Sequence, residues 1–336
     1  MAKKVSLKNL ADVVGVSTAL VSYVMNGLEK EKRVGAEVVK RIREAARELD
    51  YKPNRIAQSL RTGTTKTIGL IIADIANPFF GNIARVIEDE AKRHGYIVII
   101  GSSDEDKRKS ASLLEALMNR QVDGFIIFPT EGTLLQIKEL QEKGIPLVLT
   151  DRYFSKLTTN YVVLDNFEAS FDAISHLIQN GYRKIGMIAY ESTLIHMQER
   201  IRGYVEAMKA NNLENEIQLE LVRYKYVNSD TNKAFIKLTE GENKINALFF
   251  ATNTLSIAGL YSIKKLDLKI PEQIAIIGFD GNEAFDFFYT PITFIEQPII
   301  KMGKEVVRVL VNQINGTNEI ANIKLRHKLI KRQSSL

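Results

Sequence analysis

The sequence predicts a small all-α module followed by an α/β body, in which two doubly wound parallel-sheet lobes enclose a cleft. Three observations carry this prediction. Apolar residues recur at helical spacing near the N-terminus. Beyond Thr67, short continuous apolar runs alternate with longer amphipathic segments, as in parallel sheets covered by helices on both faces. A strand–loop–helix pattern that starts at Thr67 recurs at Lys184, which indicates two similar lobes.

Composition bounds the class of protein. The chain has 336 residues, of which 45% are apolar and 26% charged, as in a soluble protein of several domains. Its apolar runs are too short to span a bilayer, and its first twenty residues do not resemble a secretory signal. Cysteine is absent, and the four histidines form no metal-ligand motif. We therefore expect a cytoplasmic protein with no cofactor, no metal site and no membrane partner.

The net charge is concentrated at the N-terminus. Residues 1–61 hold 13 basic and 7 acidic side chains, which accounts for the entire formal charge of +6. The remaining chain is balanced. A small basic module on a neutral body points to a polyanion as the partner of that module, although a solvated basic face is the alternative.

Three short helices are predicted in this module. Apolar residues share one helical face from Leu7 to Val14, with Ser6 as the N-cap and a glycine at the end. The second helix is predicted over Thr18–Asn26, capped by Ser17, and the third over Glu37–Leu49. Three helices with a tight glycine turn are typical of helix-turn-helix DNA-binding modules, and a plain three-helix bundle is the alternative.

This N-terminus resembles the lactose/galactose repressor (LacI/GalR) family of transcription regulators. The motifs that carry the resemblance are Val5–Ala11, Gly15–Ser17, Val21-Ser22, Asn26-Gly27, Leu49–Asn54 and Ala57–Gly63. The similarity runs over essentially the whole chain. It implies a helix-turn-helix DNA-binding domain in residues 1–52, a hinge helix and linker in 53–63, and a two-lobed, periplasmic binding protein-like effector-binding and dimerisation domain in 64–336.

The resemblance also implies the DNA contacts. Residues from Thr18 to Tyr23 would enter the major groove, and a hinge helix over Pro53–Arg61 would insert Leu60 into the minor groove. Tyr23 stands where many members carry Arg, so the bases that this protein prefers in its operator do not follow from those members. The implied DNA-binding residues are Ser6, Ser17, Thr18, Ala19, Ser22, Tyr23, Asn26, Asn54, Ala57 and Leu60.

The strands of the body are predicted from its apolar runs. One helix is predicted over Asn82–His94, and a strand-like segment over Ile323–Leu329 precedes a short basic tail. The predicted strands of the two lobes are Ile68–Ala73, Tyr96–Gly101, Gly124–Phe128, Leu147–Thr150, Lys184–Ile188, Ala247–Ala251 and Ile274–Phe279.

Candidate ligand-binding residues follow these strands, where ligands of parallel sheets bind. They are Asn77, Phe79, Phe80, Asp151, Arg152, Arg200, Asn253, Phe279, Asp280 and Gln297, with Asp74 close by. Aromatic faces beside hydrogen-bonding groups suit a sugar, although each residue taken alone is better explained as a cap or a core residue. The acidic stretch Ser102–Asp106 is interpreted as the start of a helix.

Taken together, these residues resemble the effector pocket of the same family and of its periplasmic relatives that bind ribose-type sugars. The motifs concerned are Asn77–Phe80, Asp151-Arg152, Glu199-Arg200, Asn253 and Gly278–Gly281. There, aromatic rings sandwich the sugar and the polar side chains bind its hydroxyls. Thr254 stands where an Asp is often found, so the identity of the sugar is not carried over.

We therefore predict a DNA-binding transcriptional regulator, a repressor, whose affinity for a double-stranded operator is controlled by a small effector, a mono- or disaccharide, bound between the lobes. A homodimer would match a two-fold symmetric site, and no leucine heptads follow that would add a tetramer. The alternative is a sugar-binding protein without a DNA role. An enzyme is not expected, because GxGxxG, P-loop, GxSxG and histidine-triad patterns are missing from the sequence.

Overall fold

The computed structural model describes residues 5–51 and 63–336. The chain divides into two compact units, Met1–Thr65 and Lys66–Leu336. Three of the residues implied in DNA binding, Asn54, Ala57 and Leu60, lie outside the described residues, as does most of the proposed hinge. In the described ranges, no helix is both long enough and apolar enough for a bilayer crossing.

The N-terminal unit contains three helices, α1 (Leu7–Val14), α2 (Thr18–Met25) and α3 (Ala36–Glu48). They pack around one small apolar core to which each contributes, including Leu10, Val14, Val21, Val24, Ile42 and Ala45. Ser6 caps α1 with its Oγ 3.2 Å from the Asn9 amide. Gly15 ends the helix at φ +71°, which a side chain would oppose, so the predicted glycine turn follows α1.

The first lobe of the second unit is a six-stranded parallel sheet. Its strands are β1 (Thr67–Ile72), β2 (Ile97–Ser102), β3 (Gly124–Ile127), β4 (Leu147–Thr150), β5 (Asn160–Leu164) and β11 (Asn322–Leu325), in the order β11-β5-β4-β3-β1-β2. Two helices, α4 (Pro78–Arg93) and α12 (Ile299–Ile314), cover one face. The other face is covered by α5 (Lys107–Asn119) and α6 (Leu134–Glu142).

The second lobe repeats this arrangement. Its strands are β6 (Ile185–Tyr190), β7 (Gln218–Val222), β8 (Ala247–Phe250), β9 (Ala275–Phe279), β10 (Thr293–Glu296) and β12 (Lys328–Ile330), in the order β12-β10-β9-β8-β6-β7. Only β12 runs antiparallel among these described strands. Its helices are α7 (Asn166–Gln179), α8 (Ile195–Ala210), α9 (Val227–Thr239), α10 (Asn253–Lys265) and α11 (Glu283–Phe287).

Two helices of the second lobe cross at very short range. A Cβ on Gly203 of α8 would lie 2.3 Å from the carbonyl oxygen of Phe167 on α7. Only glycine therefore allows this approach. The crossing holds α8, which carries the candidate site residue Arg200, against α7.

The structure corrects the predicted start of the first helix of the body. That helix begins at Pro78 rather than at Asn82, because Asn77 caps it by accepting a hydrogen bond from the Phe79 amide at 3.0 Å. Proline is favourable in a first turn, where its missing N–H is not needed. Phe79 and Phe80 therefore lie on α4 and not in a loop.

The C-terminal prediction was also wrong in part. The predicted strand Ile323–Leu329 is two strands, β11 and β12, which belong to different sheets because the chain crosses between the lobes at Arg326 and His327. The expected basic tail is anchored, since Ser334 and Ser335 are fully buried. The Ser334 hydroxyl donates to the Ile276 carbonyl at 2.7 Å.

Candidate functional site

The predicted DNA-reading residues lie at the start of α2. Thr18 and Ala19 are exposed, whereas Ser22 and Tyr23 are half-buried. Ser17 caps the helix with its Oγ 3.2 Å from the Leu20 amide. These positions leave the first turn of α2 open to a partner.

Two further predicted contacts have their side chains engaged within the unit. The Asn26 amide donates to the Ser22 carbonyl at 2.6 Å and to its hydroxyl at 3.1 Å. The side chain of Ser6 is held in the capping box of α1, where Asn9 contacts both its amide and its hydroxyl. Ser6 and Asn26 therefore stabilise helices within the module through their own hydrogen bonds.

The predicted ligand residues converge on a cavity of about 460 Å³ between the two lobes. It is formed by the carboxyl ends of strands from both sheets. Eight predicted residues line it, namely Asn77, Phe79, Phe80, Asp151, Arg152, Arg200, Asp280 and Gln297. Asn253 and Phe279 do not, because Phe279 is fully buried and Asn253 lines a neighbouring cavity beside Asp280 and Gln297.

Aromatic rings form the apolar side of the cavity in the first lobe. Phe79 and Phe80 are buried, and their ring centroids are 5.1 Å apart in an edge-to-face arrangement. Phe80 also packs edge-to-face against Phe128, which lies deeper in the lobe at 5.2 Å. These contacts fix the two rings, so the apolar side is preformed.

Arg152 is held by two carboxylates. Its Nη1 and Nη2 each lie 2.8 Å from an oxygen of Glu105, and its Nε lies 3.1 Å from Asp151. Burial alone would lower the pKa of Arg152, but these carboxylates offset that effect and raise the pKa above its ordinary value. The guanidinium is therefore held in a fixed position as a hydrogen-bond donor, and the two carboxylates neutralise its charge.

Glu105 was missed by sequence reasoning, which interpreted Ser102–Asp106 as a helix start only. That interpretation holds for Asp106, whose carboxylate accepts from the amides of Arg108 and Lys109 at 2.7 and 3.0 Å. It fails for Glu105, because the partner of this carboxylate is Arg152, which follows a different strand.

Arg200 is the corresponding cation of the second lobe. Its Nε donates to Asn166 Oδ1 at 2.8 Å, its Nη1 donates to the Ala251 carbonyl at 2.6 Å, and its guanidinium lies 3.5 Å from the Phe279 ring centroid. Burial lowers the pKa of Arg200 to about 10, so it remains charged at neutral pH. Phe279 is fully buried beneath it, which explains why the ring does not reach the cavity.

Asp280 follows β9 as Asp151 follows β4, and both adopt positive φ angles of 61° and 65°. Asp280 Oδ1 accepts from Gln297 Nε2 at 2.9 Å, and the Asn253 amide donates to the Asp280 carbonyl at 2.9 Å. Asn253 thus supports the loop. Burial raises the pKa of Asp280 to about 6, and the nearby Arg200 limits the rise.

Several lining residues from the second lobe were not predicted. Tyr190 ends β6, Tyr224 follows β7, and His196 lies one turn before Arg200 on α8. The strand-end rule that selected Asp151 applies equally to both tyrosines. Helical spacing of four residues from Arg200 would have pointed to His196.

Three buried polar atoms of residues that line the cavity have no hydrogen-bond partner among the described residues. They are Nδ1 of His196, Oε1 of Gln297 and the hydroxyl oxygen of Tyr190. Buried polar groups are normally paired, so each has capacity for a group supplied from the cavity. Burial and the charges of Arg152 and Arg200 hold the pKa of His196 well below 6.5, so the ring is neutral.

Comparison with known protein families assigns both units. Residues 6–54 match the bacterial regulatory proteins of the lacI family, and residues 65–333 match the periplasmic binding proteins and sugar binding domain of the LacI family. A curated relative, the HTH-type transcriptional repressor PurR of Aliivibrio salmonicida, is 30% identical over 333 residues, which cover 98% of each chain.

Two solved structures show the same architecture. The transcriptional regulator CelR–cellobiose complex is 25% identical, with a TM-score of 0.71 over 98% of this chain and all of that one. The lac repressor dimer bound to operator and the anti-inducer ONPF is 21% identical, with a TM-score of 0.88 over 99% of this chain and all of that one. The predicted fold class, a helix-turn-helix headpiece followed by two parallel-sheet lobes, is thereby confirmed.

The two family matches together span most of the described chain, and the relatives found are transcriptional regulators rather than enzymes. The protein belongs to the LacI family of bacterial regulatory proteins.

Proposed function

We propose that this regulator is a homodimeric repressor that binds a small uncharged sugar in the interlobe cavity, and that the sugar controls its affinity for a two-fold symmetric operator. One observation carries the ligand assignment. Eight residues selected from the sequence for sugar binding line the same cavity, where fixed aromatic rings meet buried hydrogen-bonding groups with unused capacity.

The charge balance of the cavity favours an uncharged ligand. Its lining contains seven acidic and three basic residues. The carboxylates of Glu105 and Asp151 already bind Arg152, and Asp280 lies beside Arg200. A phosphate or carboxylate would therefore meet an excess of negative charge with few cations to compensate it. A polyhydroxylated ring uses the same donors and acceptors without that cost.

The relatives support this assignment at the level of ligand class. The CelR structure is described as a complex with cellobiose, a disaccharide. The lac repressor structure is described as a dimer on its operator, which supports a homodimer here. The DNA contacts would come from the open first turn of α2, with Thr18 and Ala19 the most exposed of the proposed residues.

The topology supports ligand control. Three segments cross between the lobes, around residues 164–166, 296–299 and 325–328. A ligand that contacts both lobes favours the arrangement in which they are close together, and only such differential binding can shift a population. Coupling of this kind is typically about 1–3 kcal/mol.

Calorimetry with D-ribose, D-glucose, cellobiose and maltose tests the ligand class. We expect at least one of them to bind, and Asp280→Asn to weaken its binding about 10-fold or more, because hydrogen bonds to charged groups contribute about 1.5–3 kcal/mol. Asn preserves the size and tolerates the positive φ of this position. Asp267→Asn, at an exposed residue with φ 52°, is the matched control.

Operator binding is measured in parallel, on a duplex that the protein selects from random-sequence DNA. The sugar should change the affinity for this duplex in the wild type and have a much smaller effect in Asp280→Asn. Without sugar, both proteins should bind the duplex equally. Loss of binding to the duplex in the variant would show that Asp280 maintains the fold, and failure of every sugar to bind would contradict the proposed ligand class.

A further inference from the structure

Two carboxylates at the mouth of the cavity are bound by the opposite lobe. Asp74 follows β1, and its Oδ2 accepts a hydrogen bond from the Tyr224 hydroxyl at 2.8 Å. Glu131 lies beyond β3, and its Oε1 accepts from Ser192 Oγ at 2.9 Å and from Thr193 N at 2.6 Å. Both carboxylates belong to the first lobe and all the donors to the second.

The groups that form these bridges are held in place within their own lobes. Asp74 Oδ1 accepts from the Ala76 amide at 2.9 Å, which leaves Oδ2 for the other lobe. The Tyr224 ring packs against Tyr190, with centroids 5.3 Å apart. Burial and the Asp74 carboxylate raise the pKa of Tyr224 above its ordinary value, so the hydroxyl keeps the proton that it donates.

The bridges lie at the edge of the cavity, where it meets solvent. Tyr224 is 43% exposed, and Glu131 and Thr193 are also exposed, whereas Phe80 and Arg200 on the cavity wall are buried. Asp74 and Tyr224 are separated by 150 residues, and Glu131 and Thr193 by 62. These hydrogen bonds can therefore form only when the two lobes are close together.

We propose that the Asp74–Tyr224 and Glu131–Ser192/Thr193 bridges are two latches that close the mouth over the effector, so that the cavity accepts a sugar enclosed completely and rejects one extended by a further ring. This inference rests on the proposed sugar ligand and specifies its size. A longer saccharide must break a latch and leave a carboxylate or hydroxyl without its partner. The latches thus determine specificity without contacting the bound ring.

The latches also have a consequence in the absence of ligand. They stabilise the closed arrangement by hydrogen bonds that the protein supplies itself. Removing one should shift the ligand-free population towards a more open arrangement. This second consequence can be measured without any knowledge of the sugar.

The first test compares saccharides of increasing length by calorimetry on the full chain. The probes are D-glucose, cellobiose and cellotriose, then D-glucose, maltose and maltotriose. In the wild type, we expect a limit of length in each series. The longest saccharide that the closed cavity can enclose should bind at least 10-fold more tightly than the saccharide with one more ring. Tyr224→Phe, which removes the donor, and Glu131→Met, which removes the acceptor, should reduce this ratio at least threefold. Tyr226→Phe is the matched control, because this exposed neighbour makes no cross-lobe hydrogen bond within the described residues.

The second test measures the distance between the lobes with spin labels. The chain has no cysteine, so Lys138→Cys on α6 and Asn215→Cys in the second lobe give one labelled pair in each protomer. Both positions are exposed. Without sugar, the latch variants should show longer distances than the wild type, and Tyr226→Phe should match the wild type.

The outcomes separate the two proposals. If the latch variants show longer distances between the labels and no saccharide binds, the latches are supported and the sugar assignment is overturned. Saccharide binding with an unchanged length ratio in both latch variants would overturn the latches and leave the sugar assignment intact. Equal binding of all three lengths by the wild type would also overturn the latches.

Discussion

Single residues at strand ends carry the candidate site, and the sequence revealed many of them. Asp151 and Asp280 were selected because polar residues that follow parallel strands meet at one edge of a sheet. Both line the cavity. The rule identifies the position of a residue but not its partner. Glu105 was missed because its partner, 47 residues distant, is brought near only in the folded lobe. Tyr224 was missed because the strand before it, β7, was not predicted.

His196 makes the stability of the second unit sensitive to acid. Burial and the nearby charges of Arg152 and Arg200 hold its pKa well below 6.5 in the folded protein. As the pH falls through 6.5, the unfolded chain binds a proton at this side chain and the folded chain does not. Stability that is present above pH 6.5 is therefore lost as the pH falls towards the folded pKa.

We expect His196→Gln to remove this loss. Between pH 8 and pH 5, the melting temperature of the variant should fall less steeply than that of the wild type, as followed by circular dichroism. The comparison isolates one group, since other titrating groups such as Asp280 are common to both proteins. Lys265→Gln, at an exposed residue of the same unit, should run parallel to the wild type. Parallel curves for His196→Gln as well would contradict the assignment of a neutral buried ring.

At the scale of elements, the sequence predicted those features that depend only on residues within or next to one helix. The cap and the glycine turn of α1 were predicted because both depend on residues next to the helix. The division of Ile323–Leu329 into β11 and β12 was not predictable. The apolar pattern continues through the segment, and only the positions of the two sheets separate its halves.

Gly15 provides a test of the turn between α1 and α2. Its φ of +71° costs an L-residue about 1–2 kcal/mol. Gly15→Ala should therefore increase hydrogen exchange of the amides of α1 and α2 in the full chain and weaken operator binding. Space is not the limitation, because a Cβ there would contact nothing within 4 Å.

The matched control for this substitution is Gly35→Ser. Gly35 has φ −61° and equally open surroundings, and it is the N-cap of α3, where serine is favourable, so the added side chain should be tolerated. Equal exchange in the two variants would show that the backbone of the turn does not limit the stability of the module.

At the scale of the whole molecule, the excess charge lies in a different unit from the proposed sugar site. The formal charge of +6 is carried by residues 1–61, whereas the remaining chain is balanced. Binding of DNA releases the counterions of each phosphate that is neutralised, and an uncharged sugar releases none. One protein should therefore show two different responses to salt, one for each of its ligands.

We expect the operator association constant to fall at least 100-fold between about 50 and 200 mM KCl, as several phosphate contacts require. Sugar affinity should change less than twofold over the same range. Fluorescence anisotropy of labelled operator and calorimetry of the sugar measure the two on the same preparation. Lys265→Gln removes an exposed charge from the body and should leave the slope for operator unchanged. A shallow operator slope, or a sugar affinity that falls with it, would show that the basic residues of the first unit do not carry the interaction with DNA.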